Sequence, residues 1–455
     1  MRPTSIGRVS TSRSSLAFRA VRILASGSSN VCERRRWVFN AAKTTTVESI
    51  VVGGGPGGIA AVGNLLDNLP GKLPQLWVDP HFAGGRVGAK YREVPSNTKV
   101  ALFLQFAEAV APFRQILEKT PAPNAATALQ KLAQDKGCEL GHAADLCLML
   151  TEGLQEHYPN EVEQHRGEVE KAVLDEQTNT WTVNLDDGRV FNTDRLVLCT
   201  GSSPITSPLP ILKQLSDSAP STALTPLHLD TALKPSLLSQ TIDPSSQATV
   251  GVVGASHSAI LVLMNLYKMI SSGSHPNLRV KWFTRHKSLR YAEQKDGWIL
   301  YDNTGLKGDA AQWARDSLEE EVFEQSPVSR VITRFWTGGE NGAEESIYKA
   351  ELPSCTHVVQ AIGYKRDALP RLMVKEKSEF TPRHLTIEHD ALTGRFRQID
   401  HSGEKGKVFV PNLFGAGIAF PETVTDPAGN VESAVGFWKF MRFLKRVVPE
   451  WVSKP

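Results

Sequence analysis

The hydrophobic positions of the chain alternate between short apolar runs and longer helical stripes. Residues 47–52 end in the apolar run Ile50–Val52 and are predicted to form a buried parallel strand, and residues 56–68 have the small-residue and leucine pattern of a helix packed on it. A second short strand ends at Asp79. The same order of strand, glycine-bearing turn and helix returns at residues 248–270. This repeat predicts an α/β fold built from two similar units.

The chain between and after these units changes its periodicity several times. Residues 102–165 are largely helical in pattern, residues 168–201 suggest a meander of strands, and residues 203–247 suggest a connecting segment rich in Pro, Ser and Thr. Strands are expected again at 355–364 and 408–420, and a final helix over 430–448.

The late return of strands indicates that the second unit is inserted into the first. The expected divisions are residues 1–45 outside the folded domains, 46–235 as the first part of the first domain, 236–354 as the inserted domain, and 355–455 as the return of the first domain.

The first glycine-bearing turn fits the pattern GxGxxG with Gly53, Gly55 and Gly58. A strand precedes it, a helix follows it, and Asp79 lies 21 residues beyond Gly58, at the end of the next strand. In a dinucleotide site these glycines permit a tight turn, backbone approach to a pyrophosphate and close helix packing, while the acid accepts hydrogen bonds from a ribose. A glycine-rich turn without a ligand is the alternative.

The second turn is a degenerate version, with Gly254, Ser256 and Ala259 in the pattern GxSxxA. The next strand ends in the basic sequence RHK, which begins at Arg285. Cations at this place suit a ribose 2′-phosphate, which favours NADPH over NADH, although a solvated basic loop fits as well. His257 is interpreted as a residue of the helix start rather than as a catalyst. Two dinucleotide sites in one chain indicate a resident flavin that is reduced by a nicotinamide cofactor.

The first 36 residues differ from the rest. They contain eight arginines, many serines and one acid, and residues 14–24 can form an amphipathic helix. This composition is typical of a mitochondrial transit peptide and predicts a location in the mitochondrial matrix, with a disordered basic tail as the alternative. The segment carries a net charge of +7, which leaves −4 on the remaining chain, whose total is +3. The body is therefore not basic, and nucleic acid is not an expected partner. No apolar run approaches the length of a membrane-spanning helix.

The motifs together resemble those of flavoproteins with two dinucleotide-binding domains, and among these the flavin-dependent monooxygenases of the flavin-containing and N-hydroxylating types. GGGPGG at 53–58 resembles the FAD loop, and GASHSA at 254–259 resembles the NADPH loop. GGR at 84–86 and VPSNTKV at 94–100 resemble the segment beneath the flavin ring, with Arg86 where that family often has Trp. The motif FxGxxxHxxxW is absent from the sequence, so the resemblance fixes the two cofactors better than the substrate.

Three further segments take part in the resemblance. Thr200 with Gly201, and Gly363 with Tyr364, resemble the strands that cross between the domains, and Gly415 with Gly417 resembles the segment that closes the FAD site. The usual Asp of that segment is missing, which leaves its contact to backbone amides or to Glu422. The resemblance implies binding of FAD by Gly53, Gly55, Pro56, Gly57, Gly58, Asp79, Arg86, Asn97, Thr200, Gly201, Gly415 and Gly417. It implies binding of NADPH by Gly254, Ser256, His257, Ala259 and Arg285.

Three functions agree with these features. The preferred one is a monooxygenase that is reduced by NADPH and inserts one oxygen atom into a small organic substrate, with residues 102–165 and 290–313 as candidates to cap the flavin. The second is a dehydrogenase that passes electrons to a quinone, with the final helix resting on a membrane, although packing over the FAD site is the favoured interpretation of that helix. The third is a nucleotide-binding regulator. The cysteines show no CxxC spacing, no metal site or catalytic residue is indicated, and the oligomeric state is left open.

Overall fold

The computed structural model describes residues 44–453, apart from residues 70, 72, 208–223, 340–342, 377–380 and 400–404. The predicted transit peptide lies outside the described residues. In chain order the strands are β1 (Thr45–Val47), β2 (Ser49–Val52), β3 (Gln75–Val78), β4 (Val162–His165), β5 (Val169–Asp175), β6 (Thr180–Leu185), β7 (Val190–Thr193), β8 (Leu196–Leu198), β9 (Ser202–Pro204), β10 (Thr225–Leu227), β11 (Thr249–Val253), β12 (Arg279–Thr284), β13 (Glu293–Lys295), β14 (Trp298–Leu300), β15 (Ile332–Trp336), β16 (His357–Gln360), β17 (Tyr364–Arg366), β18 (Arg371–Lys375), β19 (Arg383–His384), β20 (Ile387–His389), β21 (Arg395–Ile399), β22 (Lys405–Gly415), β23 (Glu422–Thr425) and β24 (Val431–Ala434).

The α-helices, in the same order, are α1 (Pro56–Asn68), α2 (Gly85–Lys90), α3 (Val100–Glu108), α4 (Ala111–Lys119), α5 (Ala125–Gln130), α6 (Leu140–His157), α7 (Leu229–Leu233), α8 (Pro235–Thr241), α9 (His257–Ser271), α10 (Gly308–Ser317), α11 (Glu320–Phe323), α12 (Ala343–Glu351) and α13 (Phe437–Val452). Short 3₁₀ turns occupy Pro327–Arg330 and Leu352–Ser354.

The first unit is built on a sheet with the strand order β20-β21-β22-β8-β2-β3-β4. The strands from β22 to β4 run parallel, and β2 lies between β8 and β3. Such a central parallel strand is covered on both faces, which explains why the run at its position is apolar without alternation. Helix α1 follows β2 at once and packs against α13, where Asn64 Nδ2 donates to Met441 Sδ at 3.1 Å.

The second unit is a fully parallel sheet with the order β10-β16-β11-β12-β15. Its strands fall between β8 and β22 of the first sheet in the sequence, so the second unit is inserted into the first, as expected. The sheet includes Thr225–Leu227 and His357–Gln360, which lie outside the range 236–354. A third sheet, in the order β1-β7-β6-β5-β18-β19, contains the predicted meander.

Two expectations about local structure are wrong. The segment 203–247 contains β10, α7 and α8 in addition to connecting chain. The final helix begins at Phe437 and not at residue 430, because Val431–Ala434 pair with Glu422–Thr425 as an antiparallel hairpin. Gly436, with φ of +145°, separates this hairpin from the helix.

The apolar face of helix α13 is buried inside the protein. Phe437, Met441 and Leu444 are buried in the same hydrophobic core as α1 and α3, and Trp451 stacks on Phe414 with ring centroids 4.6 Å apart. The helix therefore packs on the first unit, as the sequence favoured. Among the described residues, no single helix has both the length and the hydropathy to cross a membrane, and by these criteria alone only the bent pair α3 and α4, at 104°, qualifies.

Candidate nucleotide-binding sites

The first glycine loop connects β2 to α1 through a tight turn at Gly53. This residue has φ of +116°, and a Cβ added to it would lie 2.2 Å from the carbonyl oxygen of Cys199. Its N–H donates to Val78 O at 2.8 Å, and its own carbonyl accepts from Trp77 Nε1 at 2.8 Å. A Cβ on Gly58 would lie 1.8 Å from the Gly53 oxygen. Both positions therefore require glycine, because a side chain at either one would collide with a backbone carbonyl oxygen.

Glycines surround the N-terminus of α1, both in the helix itself and in the segments that pack against it. Gly55 is the N-cap residue in an extended conformation, and no side chain caps the helix. A Cβ on Gly57 would lie 2.7 Å from Gly417 Cα, and a Cβ on Gly85 would lie 2.7 Å from Gly55 Cα. Glycine backbones thus flank the helix N-terminus, where unpaired N–H groups and the positive end of the helix dipole suit a phosphate. The donors and the narrow cradle fit the pyrophosphate of FAD.

Asp79 anchors the same loop. Its Oδ2 accepts from Gly54 N at 2.6 Å, and its Oδ1 accepts from the backbone N–H groups of His81 and Phe82 at 2.8 and 2.6 Å. An ionised carboxylate has further lone pairs beyond these three bonds. The carboxylate that the sequence assigns to a ribose therefore also fixes the shape of the glycine loop.

The second glycine loop repeats this geometry. Gly254 has φ of +127°, and a Cβ added to it would lie 2.3 Å from Ala361 O. Its N–H donates to Phe283 O at 2.9 Å, and its carbonyl accepts from Trp282 Nε1 at 2.8 Å. Ala259, which replaces the last glycine of the motif, is fully buried, and its Cβ lies 3.5 Å from the added Cβ of Gly254. This is ordinary van der Waals contact, so the second loop has room for the methyl group.

Helix α9 also begins without a side-chain cap. Ser256 is its N-cap residue, extended and exposed, and its hydroxyl makes no capping hydrogen bond. His257 is the first helical residue, and within the described structure its buried Nδ1 has no hydrogen-bond partner. Burial and then the nearby Lys307 lower the pKa of His257 to about 4, so the imidazole is neutral near pH 7. An unpaired polar atom at an open helix N-terminus fits a site for the pyrophosphate end of NADPH.

A cavity of about 580 Å³ opens in front of the second loop and is lined by Gly254, Ser256, Arg285, Gly363 and their neighbours. The Arg285 guanidinium donates two hydrogen bonds of 2.9 Å to the Glu344 carboxylate, which raises the pKa of Arg285. His286 also lines the cavity, whereas the Nζ of Lys287 lies 4.6 Å from the ring centre of Trp336. Arg285 is thus held at the cavity by a bidentate ion pair.

Arg86 lies in the middle of a polar network. Its guanidinium donates to the Asp230 carboxylate, to Tyr91 Oη at 3.2 Å and to Ser203 Oγ at 3.2 Å. Burial alone would lower the pKa of Arg86, but the hydrogen bond to Tyr91 and the carboxylates of Asp230 and Asp367 raise it. Burial, followed by the neighbouring Tyr364, raises the pKa of Tyr91 far above its ordinary value.

The remaining predicted residues are placed as follows. Thr200 Oγ1 is buried and has no hydrogen-bond partner among the described residues. Gly201 has φ of +88°, and its carbonyl accepts from Asp367 N at 3.1 Å. Asn97 is exposed on the loop before α3. A Cβ on Gly415 would lie within 3 Å of the rings of Phe396 and Phe420, so aromatic packing explains this glycine.

The candidate capping segment at 290–313 folds as the hairpin β13–β14 and the start of α10. Trp298 and Ile299 are exposed at 55% and 47%, and Tyr301 lines the cavity of the second unit. The loop after the hairpin reaches the first unit, where the buried Glu432 carboxylate accepts from the backbone N–H groups of Asn303 and Thr304 at 3.1 and 3.0 Å.

Trp77 and Trp282 are functional candidates that lie outside the glycine motifs. Each is fully buried on the strand that follows the helix of its glycine loop and donates to the carbonyl of the first glycine of that loop. The sequence contains a signal for these residues, because a tryptophan occurs at the same place in both strand–turn–helix repeats.

Comparison with known proteins agrees with this geometry. Residues 50–203 match a family described as FAD-NAD(P)-binding. The chain is 49% identical over 411 residues to the monooxygenase AgnR1 of Paecilomyces divaricatus, an alignment that covers 89% of this chain and 98% of that protein.

Two solved structures have a similar fold. A flavin-containing monooxygenase from Stenotrophomonas maltophilia matches with a TM-score of 0.51 at 16% identity, over 90% of this chain and 98% of that chain. The ornithine hydroxylase PvdA from Pseudomonas aeruginosa matches with a TM-score of 0.53 at 13% identity, over 90% of this chain and 100% of that chain. The sequence relationship and the two Rossmann-like units show that the chain belongs to the flavin-dependent monooxygenases, with FAD and NADPH as cofactors.

Proposed function

We propose that FAD binds at the first glycine loop and NADPH at the second, so that each unit of the fold holds one cofactor. The observation that carries the proposal is the repeated geometry: both loops present an uncapped helix N-terminus beside a glycine with positive φ. The proposed FAD contacts are Gly53, Gly55, Pro56, Gly57, Gly58, Asp79, Arg86, Asn97, Thr200, Gly201, Gly415 and Gly417. The proposed NADPH contacts are Gly254, Ser256, His257, Ala259 and Arg285.

In the first unit, backbone groups do most of the binding. The first-turn N–H groups of α1 bind the pyrophosphate, and Gly55 and Gly57 admit it because they carry no side chain. Asp79 accepts from a ribose hydroxyl with the lone pairs that its loop contacts leave free. The guanidinium donors of Arg86 already reach Asp230, Tyr91 and Ser203, so Arg86 would contact FAD through its backbone.

In the second unit, charge selects the cofactor. Arg285 lines the cavity with its guanidinium fixed by Glu344, and it pairs with the 2′-phosphate that distinguishes NADPH from NADH. The neutral His257 can donate a hydrogen bond to a phosphate oxygen through its unpaired Nδ1, in the tautomer that carries the proton there, without adding charge at the helix N-terminus.

The bound flavin supplies the redox chemistry, accepting a hydride from NADPH and, once reduced, activating O2 for transfer of one oxygen atom to a small organic substrate. The chain contributes binding, orientation and exclusion of water. The loop at 303–304, held by the buried Glu432, fixes the insertion whose residues Tyr301 and Thr304 line the cavity. No side chain is assigned as a catalytic acid or base.

Absorbance spectroscopy of the purified full-length chain tests the proposal. The protein is expected to be yellow, to lose its visible flavin absorbance when NADPH is added without oxygen, and to regain it when O2 is admitted. A colourless protein that does not take up FAD would contradict the proposed binding site. Recovery with a quinone but not with O2 would contradict the monooxygenase reaction.

We further propose that residues 1–36 direct the chain to the mitochondrial matrix. The proposal is supported by the eight arginines, the single acid and the amphipathic pattern of this segment. A fluorescent fusion of the full chain is expected in mitochondria, and a fusion that starts at residue 44 is expected in the cytosol. The same location for both fusions would contradict the proposal.

A further inference from the structure

A network of charged and hydroxyl side chains joins the two units where the chain crosses between them. Arg86, on α2, donates to Asp230, and Tyr91 donates to the same carboxylate at 2.8 Å. Tyr91 Oη also lies 3.5 Å from Tyr364 Oη. The Asp230 side chain is buried, at 9% exposure, and the Arg86 side chain is partly buried, at 28% exposure. A buried charge that loses its partner is strongly unfavourable, so this pair holds its geometry firmly.

The partners of Arg86 belong to different crossing segments. Ser203 lies on β9, where the chain leaves the first unit, and Asp230 lies on α7, which follows that crossing. Ser203 Oγ donates to Asp367, which directly follows β17, where the chain returns. Arg86 itself follows Gly85, whose backbone packs on the first glycine loop. One guanidinium group therefore connects the first nucleotide loop with both crossings and with the start of the second unit.

The crossing strands are too short to fix the angle between the units alone. β9 and β17 form an antiparallel pair with three residues in each strand. A two-stranded ribbon of this length has little stability of its own. A second contact, in which the Glu93 carboxylate accepts from Ser236 N at 2.9 Å, lies on the exposed side of the same junction. The Arg86–Asp230 ion pair adds a directional, charge-assisted contact at this junction.

We propose that the Arg86–Asp230 ion pair is a positioning element that sets how the nicotinamide ring meets the flavin ring. This proposal rests on the proposed function, because it requires both cofactors at their loops. Hydride transfer requires the reacting atoms at about 3–3.5 Å, and a misplacement of about 1 Å lowers the rate by about 10²-fold. The network therefore acts on the rate of flavin reduction more than on the affinity for either nucleotide, whose proposed contacts lie mostly within one unit.

The test compares Asp230→Asn with Glu48→Gln in the full-length holoenzyme by anaerobic stopped-flow absorbance. Glu48 is a matched control, because its ion pair with Arg195 at 2.9 Å is also largely buried but lies outside the network. In Asp230→Asn the flavin reduction rate at saturating NADPH is expected to fall about tenfold or more, with bound FAD and the NADPH dissociation constant within about twofold of wild type. Glu48→Gln is expected to reduce at the wild-type rate.

Two further variants separate positioning from folding. Asp230→Glu keeps the carboxylate and is expected to recover much of the rate that Asp230→Asn loses. Ser203→Ala removes one hydroxyl group and leaves the Arg86–Asp230 ion pair in place, and it is expected to slow reduction by about threefold even if Asp230→Asn does not fold.

The outcomes distinguish this proposal from the proposed function. A wild-type protein that NADPH does not reduce would overturn both. A normally reduced wild type, with Asp230→Asn and Ser203→Ala reduced equally fast or slowed only in proportion to lost FAD, would overturn the positioning role alone.

Discussion

The two glycine loops share one backbone design and differ where the helix meets the strand. In both, the first glycine has positive φ, and its carbonyl accepts from a tryptophan of the next strand at 2.8 Å. The first loop faces this carbonyl with Gly58, where a Cβ would lie 1.8 Å from the oxygen, whereas the second loop has the buried Ala259 at the equivalent position. The second loop therefore accommodates a methyl group where the first requires glycine, and both loops keep an uncapped helix N-terminus.

The largest effect is expected when glycine and alanine are exchanged at the last position of each loop motif. Gly58→Ala forces the first loop apart and is expected to weaken FAD binding by more than about tenfold, or about 1.4 kcal/mol, and to lower the midpoint of thermal unfolding. Ala259→Gly creates no clash and is expected to retain FAD. The measurement is the ratio of flavin to protein after gel filtration, with circular dichroism to confirm folding. A full complement of FAD in Gly58→Ala would show that the close contact is unimportant.

The two tryptophans that donate to the loop glycines test whether each loop binds a different cofactor. Trp77→Phe and Trp282→Phe each leave a buried glycine carbonyl without its donor, at a cost of about 1–3 kcal/mol. Trp77→Phe is expected to lower FAD retention with little change in the KM for NADPH. Trp282→Phe is expected to raise that KM while FAD remains bound. Each variant is the control for the other, and equal effects of both on FAD would contradict the assignment of one cofactor to each loop.

The charge at the second loop gives a smaller effect. Arg285→Gln is expected to raise the KM for NADPH about tenfold and to leave the KM for NADH nearly unchanged, because only NADPH carries the 2′-phosphate. Lys287→Gln is the control, since Lys287 lies on Trp336 and not among the residues that line the cavity. Initial rates of NADPH and NADH oxidation measure both constants. An equal rise for both cofactors in Arg285→Gln would contradict the proposed contact.

The last prediction concerns acid stability. His257 has a pKa of about 4 in the folded chain against an ordinary 6.5, so the unfolded chain binds the extra proton between these values. Its contribution is present above pH 6.5 and is lost as the pH falls towards 4. The stability advantage of wild type over His257→Gln is therefore expected to shrink over this range, as measured by urea unfolding at several pH values. A constant difference would show that His257 does not titrate in this way.

Local patterns predicted the parts of the fold that depend on neighbours in the sequence. Helix α1 occupies residues 56–68, as its periodicity indicated, and β3 ends just before Asp79. The start of α13 was placed too early, because Val431–Ala434 suit a helix or a strand equally and only pairing with Glu422–Thr425 decides between them. Short helices such as α7 could not be predicted, because one or two turns give little hydrophobic periodicity.

The candidate site was predictable where a motif encodes it. Positive φ at Gly53 and Gly254 follows from the turn that each motif forms. The partner of Arg86 was not predictable, because Asp230 lies 144 residues away in the sequence and meets it only when the second unit folds onto the first. The close contact between Gly57 and Gly417 is another product of tertiary folding, although resemblance had assigned both residues to one site.

The central claim is that one chain holds two nucleotides in separate cradles. Equilibrium titration of the purified holoenzyme with NADP⁺, with FAD counted by absorbance before and after, tests it most directly. The account predicts one FAD per chain throughout and saturation at one NADP⁺ per chain. Release of FAD as NADP⁺ binds, or the failure of either nucleotide to bind, would contradict it.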